Sequence, residues 1–466
     1  MKALILAAGR GRRLQNLTAE KPKPSIKVCG VPILLRNFLI LKKLGFDVAV
    51  VAGYKSEIIK ELLKGEEVEF VHNDNIDRGN AYSVLCAEKI LKNENVFVVL
   101  MGDHIFSEEF LTAVRDFALS EESSAAAHSP RMTAIVCDSD AALDIEEATK
   151  IRTEDGSVAD IGKNIPDWTY IDTGAFICTP HVFNILERAF SKKEKVEWSE
   201  IVREARMKTH KINAFWADID TVEDLKNAEN EILKSLVKPE DGIISKYLNR
   251  KISLRISKWL CSYDISPNVI TSISFILSII SAFFFMSHAF IPYSYVMGGI
   301  IAQISSVIDG VDGEIARLKM RTTGFGGFYD SVLDRYADVF ILSAILFAAS
   351  YHFTHHLSHH EMLINISLFI AALTGASLVS YTASKFGEIY RDKIEKHEGI
   401  FRFIPAKRDE RIFIIFVCAI FAEFNTVFFR IAFIAIAVST NLRTLCRLFV
   451  ARSEKLGRLQ KQRHEI

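Results

Sequence analysis

The sequence carries no surplus of either charge: Lys and Arg number 57 and Asp and Glu 57 among 466 residues. That balance gives no support to nucleic-acid binding, which draws on a basic excess to neutralise phosphates. Paired cysteines are also missing. Cys29, Cys86, Cys137, Cys178, Cys261, Cys418 and Cys446 lie far apart with no CxxC, which argues against a zinc site or disulfide framework and suits a reducing compartment. No signal peptide opens the chain, since Met1-Lys2 runs straight into ALILAAG, so the first half is expected in the cytoplasm. Residues 1–230 read as soluble mixed α/β sequence. Long apolar runs are confined to 268–449, where they approach the roughly 20 residues that span a bilayer.

Six spans are expected, near 268–288, 292–308, 328–350, 362–384, 411–425 and 427–445. Every second connection is basic: Arg250, Lys251, Arg255 and Lys258 precede the first span, Arg317, Lys319 and Arg321 follow the second, and Lys385 to Arg411 follow the fourth. The connections 289–291 and 351–361 contain no Lys or Arg. Positive charge collects on the inner side, so both termini are expected to face the cytoplasm. The division expected is a soluble domain over 1–232, a linker with a juxtamembrane amphipathic helix over 233–267, a membrane domain over 268–450 and a basic tail over 451–466. In the linker, ISKYLNRKISLRISKWL (244–260) repeats apolar residues at helical spacing between basic ones, the pattern of a helix lying on a membrane surface.

The stretch DGVDGEIARLKMRTTGFGGFYDSVLD (309–334) sets Asp309, Asp312, Asp330 and Asp334 between apolar runs. A carboxylate at membrane depth costs several kcal/mol unless compensated. Asp309 and Asp312 are three apart and Asp330 and Asp334 four apart, so on helices each pair shares a face. Gly324, Gly326 and Gly327 permit a sharp turn between them, and two adjacent helices are expected to bring four carboxylates to one point. Such oxygen-rich clusters bind Mg²⁺ or Mn²⁺, and two metals suit attack at phosphorus. The basic stretches 384–393 and 406–411 offer Lys385, Arg391, Lys407, Arg408 and Arg411 for an anionic acceptor; the same residues also fit plain positive-inside topology. HFTHHLSHH (352–360) is read as a polar outer loop, not a metal site.

The order Asp309-x2-Asp312-Gly313-x2-Ala316-Arg317-x8-Gly326-x3-Asp330-x3-Asp334 resembles the signature of the CDP-alcohol phosphotransferase family. The resemblance covers roughly 240–450 and implies transfer of a phosphorylated alcohol from a CDP carrier, with release of CMP. It implies that the four aspartates hold two metals and that Asp334 is the general base. Gly313 and Ala316 would leave room for the cytidine, Arg317 would contact it, and Gly326 belongs to the same CDP site.

In the first half, LILAAGRGRRL (4–14) is an apolar strand followed by a Gly-rich turn, whose N–H groups can wrap a triphosphate. EKPKPSIKVCGVPIL supplies Lys23, VFVVLMGDHIF ends in Asp103, and FWADIDTVEDLKNAE brings Asp218 and Asp220 to another strand end. Strand residues two apart point the same way, so these carboxylates can join Asp103 around one Mg²⁺. Carboxyl ends of strands in an open α/β sheet are where ligands bind. Together these resemble the nucleotidyltransferase superfamily over about 1–232, and the fold implied is a Rossmann-like open sheet followed by an all-α six-helix transmembrane domain. By that resemblance Gly9 and Gly11 shape the loop, Arg13 and Lys23 stabilise the triphosphate, and Asn80 and Ser83 in RGNAYSVLCA meet a cytosine edge. Lys150, Lys163 and Asp172 are candidates for an alcohol-phosphate pocket. Arg12 departs from the superfamily, which usually has a small hydroxyl residue there.

A first half that makes a CDP-alcohol and a second that consumes one, in this order, most resemble the family of bifunctional inositol-1-phosphate cytidylyltransferase and CDP-inositol:inositol-1-phosphate transferase enzymes. The implied partners are CTP, inositol 1-phosphate, CDP-inositol and a lipid bilayer. No nucleic acid is implied, and both active sites are expected on the cytoplasmic side. Nothing in the residues shows inositol directly, and a lipid-headgroup enzyme would use the same aspartates with a lipid as donor or acceptor. Spans rich in Gly, Ala and Ser, such as 371–380, permit the close contact of a homodimer.

Overall fold

The computed structural model describes residues 1–11, 21–124, 132–138, 145–237, 241–351 and 359–464. Arg12, Arg13 and residues 352–358 of the histidine-rich stretch lie outside them. The chain divides into two compact units, Met1–Lys234 and Ser235–Ile466.

The first unit is α/β. Its described strands are β1 (Lys2–Ala7), β2 (Lys27–Val28), β3 (Val31–Pro32), β4 (Asp47–Ala52), β5 (Glu69–His72), β6 (Phe97–Met101), β7 (His104–Phe106), β8 (Thr133–Cys137), β9 (Lys150–Glu154), β10 (Ser157–Gly162), β11 (Tyr170–Cys178), β12 (Lys208–Lys211) and β13 (Trp216–Asp218). Nine of them form one sheet in the order β5-β4-β1-β6-β11-β8-β12-β10-β9. From β5 to β6 the strands are parallel. Their runs ALILA, VAVVA and FVVL are buried throughout, as parallel strands covered on both faces must be. The carboxyl ends of β1 and β6 therefore emerge side by side. Away from the large sheet, β13 pairs antiparallel with β7 and sets Asp218 opposite His104.

The second unit is helical: α1 (Arg250–Leu260), α2 (Pro267–Met286), α3 (Ser294–Leu318), α4 (Gly324–Tyr351), α5 (His359–Tyr390), α6 (Arg408–Ala422) and α7 (Val427–His464). Among the described residues four helices are long and apolar enough to cross a membrane: α2, α3, α5 and the Val427–Ser453 part of α7. The segment expected as a basic tail continues α7 as helix through His464. Polarity in α2 is turned inside out. Ser274, Ser278 and Ser281 are buried while Ile273, Ile276, Ile280 and Phe283 are exposed, the pattern of a helix whose outer solvent is apolar. The inward serines join α2 to α3: Ser278 and Ser305 hydroxyls meet at 2.8 Å, Ser305 donates to the Ser274 carbonyl at 2.8 Å, and Ser281 donates to the Gly298 carbonyl at 2.7 Å.

Two stretches singled out in the sequence have their packing partners here. The small-residue stripe 371–380 is used within the chain: Ala372 and Ala376 are fully buried, α5 packs along α7, and Asn441 of α7 donates to the Ala371 carbonyl at 3.0 Å. Helix α1 is amphipathic, but its inward face is polar. Ser253, Ser257 and Asn249 are buried against α3, whereas Ile252 and Trp259 are exposed. The cause is Glu314 of α3, fully buried, which accepts Arg250 Nη1 at 2.5 Å, the Ser253 hydroxyl at 2.6 Å and the Ser257 hydroxyl at 2.5 Å.

Candidate active sites

In the first unit Lys23 is the centre of a charge cluster. Its ammonium donates to Asp103 Oδ2 at 2.9 Å, Asp218 Oδ1 at 2.9 Å and Asp220 Oδ1 at 2.7 Å. Asp103 stands just past β6, while Asp218 ends β13 and Asp220 follows it. The β7–β13 pairing is what closes these segments on one another. The loop after β13 is fixed by Asp224, whose carboxylate accepts the N–H groups of Asp220 at 3.0 Å and Thr221 at 2.7 Å. Burial opposes charge on Lys23, but Asp103, Asp218 and Asp220 outweigh it and hold the ammonium well above its ordinary pKa. Asp103 is likewise held far below the carboxylate range, since Lys23 and His104 overcome its burial. His104, missed in the sequence, bonds Asp103 Oδ1 through Nδ1 at 3.0 Å. Burial would lower its pKa, but Asp218 and Asp103 raise it to about 9. Donor atoms of Asp103, His104 and Asp218 lie within 4.8 Å of one another, a set of oxygen and nitrogen donors that fits a divalent cation.

Two cavities meet at this cluster. One of about 170 Å³ is lined by Gly9, Gly11, Lys23, Asn73, Asn80, Ser83 and Asp103, among others. Gly11 has φ +61° and its missing Cβ would lie 2.6 Å from Lys23 Cβ, so only glycine lets the loop pass over the lysine. Ser83 is buried and its hydroxyl accepts Asn73 Nδ2 at 2.9 Å, while Asn80 Oδ1 accepts the Trp198 N–H at 2.6 Å. Both residues line the cavity, and one oxygen of each is already used in shaping it. The second cavity, about 790 Å³, is lined by Asn80, Asp103, His104, Lys163, Asp172 and Asp218 with Glu147, Trp198 and Ser199. Lys163 pairs with Glu147 at 2.7 Å. Asp172 sits at a register shift of β11 beside Gly174, φ +74°, and accepts the Gly174 N–H at 3.1 Å. Burial lifts Asp172 to a pKa of about 6. Lys150 does not line either cavity and reaches the Glu146 carbonyl at 3.4 Å.

In the second unit, Asp309, Asp330 and Asp334 offer oxygens within 4.8 Å of one another. Asp312, the fourth aspartate, has its Oδ2 accepting the Thr271 hydroxyl at 2.5 Å and its Oδ1 accepting the Gly313 N–H. Helix α2 packs along both α3 and α4, which brings its Thr271 to Asp312. Asp330 Oδ1 is buried without a hydrogen-bond partner among the described residues. An unpartnered buried carboxylate oxygen is costly, and a cation bound by the three aspartates would satisfy it, so the residues fit a divalent metal. A cavity of about 560 Å³ opens beside them, lined by Asp312, Gly313, Ala316, Arg317, Gly326 and Asp330 with Asn268, Thr271 and Thr323.

The five basic candidates separate. Arg408 Nη1 lies 2.7 Å from Asp309 Oδ1 and 2.7 Å from Asp334 Oδ1. Arg411 is buried, with Nη2 2.6 Å from Asp338 and Nη1 donating to the Ala406 carbonyl at 2.8 Å. Lys407 caps α6, its N–H donating to Glu410 at 3.0 Å. Lys385 pairs with Glu388 at 2.7 Å and Arg391 is exposed, neither among the aspartates. Asp338, one turn past Asp334, escaped the sequence reading although its spacing of four was visible. The connection before α6 is anchored by buried Glu398, which accepts Arg443 at 2.6 Å and Arg447 at 2.5 Å from α7.

Residues 2–235 match the nucleotidyl transferase family model and residues 264–441 match that of CDP-alcohol phosphatidyltransferase. Four relatives among those found bear the name bifunctional IPC transferase and DIPP synthase. That of Aquifex aeolicus is 34% identical over 97% of this chain and 98% of its own. That of Archaeoglobus fulgidus is 34% identical over 97% of this chain and 85% of its own, and that of Thermococcus kodakarensis 32% over 96% and 96%. A nucleotidyl transferase unit joined to a CDP-alcohol transferase unit, alike along nearly the whole length, places this chain in the bifunctional IPC transferase and DIPP synthase family.

Proposed function

We propose that the chain makes CDP-inositol and pyrophosphate from CTP and inositol 1-phosphate in its first unit. In its second, CDP-inositol and a further inositol 1-phosphate give phosphorylated di-inositol phosphate and CMP. The observation that carries this reading is that each half of a chain aligned end to end with bifunctional relatives sets clustered carboxylates beside a cavity, Asp103, Asp218 and Asp220 around Lys23 in one and Asp309, Asp330 and Asp334 in the other, each cavity of the size that takes a small ligand.

In the first unit the glycines of the 9–11 turn and Arg13 would receive the triphosphate. Lys23, fixed among its carboxylates, stands where an ammonium can stabilise charge on the α-phosphate as pyrophosphate leaves. The attacking oxygen belongs to the phosphate of inositol 1-phosphate, so no side chain has to remove a proton. Lys163 and Asp172 would hold the alcohol in the larger cavity. In the second unit Gly313, Ala316, Arg317 and Gly326 would seat the CDP group in their cavity. Asp334 would take the proton from the acceptor hydroxyl, whose oxygen bonds to the inositol-bearing phosphorus as the bond to CMP breaks. Arg408 is the basic residue nearest that point. Mg²⁺ or Mn²⁺, held by Asp103, Asp218 and Asp220 in one unit and by Asp309, Asp312, Asp330 and Asp334 in the other, would neutralise the phosphate oxygens.

The protein is a membrane protein in this reading, with six spans, α4 and α6 joining the four most apolar helices, and with both termini and both sites cytoplasmic. Exposed Trp259, Tyr247 and Ile252 around α1 would rest in the lipid interface. Purified full-length protein given CTP, Mg²⁺ and inositol 1-phosphate is expected to yield pyrophosphate, CMP and a new phosphodiester. Pyrophosphate without CMP would point to a lipid acceptor, and no pyrophosphate would sink the inositol reading.

A further inference from the structure

Arg408 and a divalent metal compete for the same oxygens. Its Nη1 is 2.7 Å from both Asp309 and Asp334, two of the three aspartates whose oxygens lie within 4.8 Å. The pairing is poor in one respect: Arg408 Nε and Nη1 are buried and make no aligned hydrogen bond among the described residues. Coulomb attraction holds the guanidinium there without the directed bonds that usually fix an arginine. A second carboxylate waits behind it. Asp338, 6% exposed, has Oδ2 against Arg411 at 2.6 Å and Oδ1 3.8 Å from Arg408 Nε. Arg335 adds a further charge 3.7 Å from Asp338 and is itself steadied by donating to the Ser380 hydroxyl at 2.7 Å.

We propose that Arg408 is a tethered counter-ion of the membrane aspartates, exchanged for metal, and that Asp338 is the positioning residue that receives the guanidinium when metal arrives. Without metal, Asp309, Asp330 and Asp334 would stand as mutually repelling carboxylates at low dielectric; Arg408 keeps them together. With metal bound, the cluster no longer needs the guanidinium, and a cation left in place would repel the incoming one. The short step to Asp338 removes it without leaving the charge buried and unpaired, which would be strongly unfavourable. The inference rests on the proposed metal role of these aspartates.

The test uses full-length protein in detergent with Asp103→Asn and Asp218→Asn to silence the first unit, and reads Mn²⁺ binding from loss of the free-ion EPR signal, without nucleotide. Adding Asp309→Asn should abolish the remaining uptake; if uptake is absent or unaffected, the metal reading of the membrane aspartates fails. Given uptake, Arg408→Gln should bind Mn²⁺ about tenfold more tightly, near 1.4 kcal/mol, and Asp338→Asn about tenfold more weakly. Arg408→Lys should stay near the parent, which separates loss of charge from loss of fold. The double variant Arg408→Gln/Asp338→Asn should match Arg408→Gln alone, because Asp338 then has no guanidinium to receive. Unchanged or weaker binding in Arg408→Gln overturns the proposal, as does additivity of the two effects.

Discussion

Thr221 and Asp224 cap one helix reciprocally. The Thr221 hydroxyl accepts the Asp224 N–H at 3.1 Å, and the Asp224 carboxylate accepts the Thr221 N–H at 2.7 Å. Since it also accepts the Asp220 N–H, the cap that starts the helix Val222–Ser235 is the device that sets Asp218 and Asp220 beside Lys23. Asp224→Ala should cost about 1 kcal/mol as a lost cap and lower pyrophosphate release from CTP several-fold. CMP formation from supplied CDP-inositol should stay near normal, as assays of the two half-reactions would read.

Gly11→Ala tests the loop over Lys23. A left-handed φ costs a non-glycine residue about 1–2 kcal/mol, and the added methyl would sit 2.6 Å from Lys23 Cβ, so the lysine must shift. Pyrophosphate release should fall at least about tenfold, the cost of a misplaced group at a reacting centre. Wild-type release would show that the loop does not seat the triphosphate as described.

Much of both sites was legible because chemistry confines it to short motifs. Lys23, Asp103, Asp218 and Asp220 are brought together, as are Asp309, Asp330 and Asp334. The open α/β sheet was also readable, since parallel strands such as VAVVA must be apolar throughout. What escaped depends on partners distant in sequence. The Thr271 hydroxyl that bonds Asp312 comes from another helix. His104 joins Asp103 only through the β7–β13 pairing. The inward polarity of α1 could not be guessed from its apolar period, because Glu314, 61 residues after Ser253 and 57 after Ser257, accepts both serines.

That docking gives a third prediction. Glu314→Ala would leave Arg250 its pairing with Asp241 at 3.0 Å but strip two buried serine donors of their acceptor, each costing about 1–3 kcal/mol. Residues 245–260 should lose amide-exchange protection in the full-length protein. Retained protection would mean that apolar packing alone docks the helix.

Asp172 gives a pH dependence. Its folded pKa, about 6, is raised from 3.8 by burial and Asp218 against the Gly174 N–H and His104. The folded state therefore holds this proton more tightly than the unfolded chain. Stability from that difference is full below about pH 4 and is lost as pH rises through 6. Asp172→Asn keeps an oxygen for the Gly174 N–H. It should raise the melting temperature of the full-length protein above pH 7, by the equivalent of about 1–2 kcal/mol allowing for partial exposure. The gain should fade between pH 6 and 4. A gain that does not change with pH would place the cause elsewhere.

The central claim is that two sites act in series, and phosphorus NMR on Asp334→Asn tests it most directly. Supplied with CTP, Mg²⁺ and inositol 1-phosphate, this variant should release pyrophosphate and accumulate CDP-inositol in equal amounts, with neither CMP nor a phosphodiester, while wild-type protein carries the same mixture to both. Continued diester formation by the variant would contradict the role given to Asp334. Loss of pyrophosphate release along with CMP would contradict the separation of the two reactions.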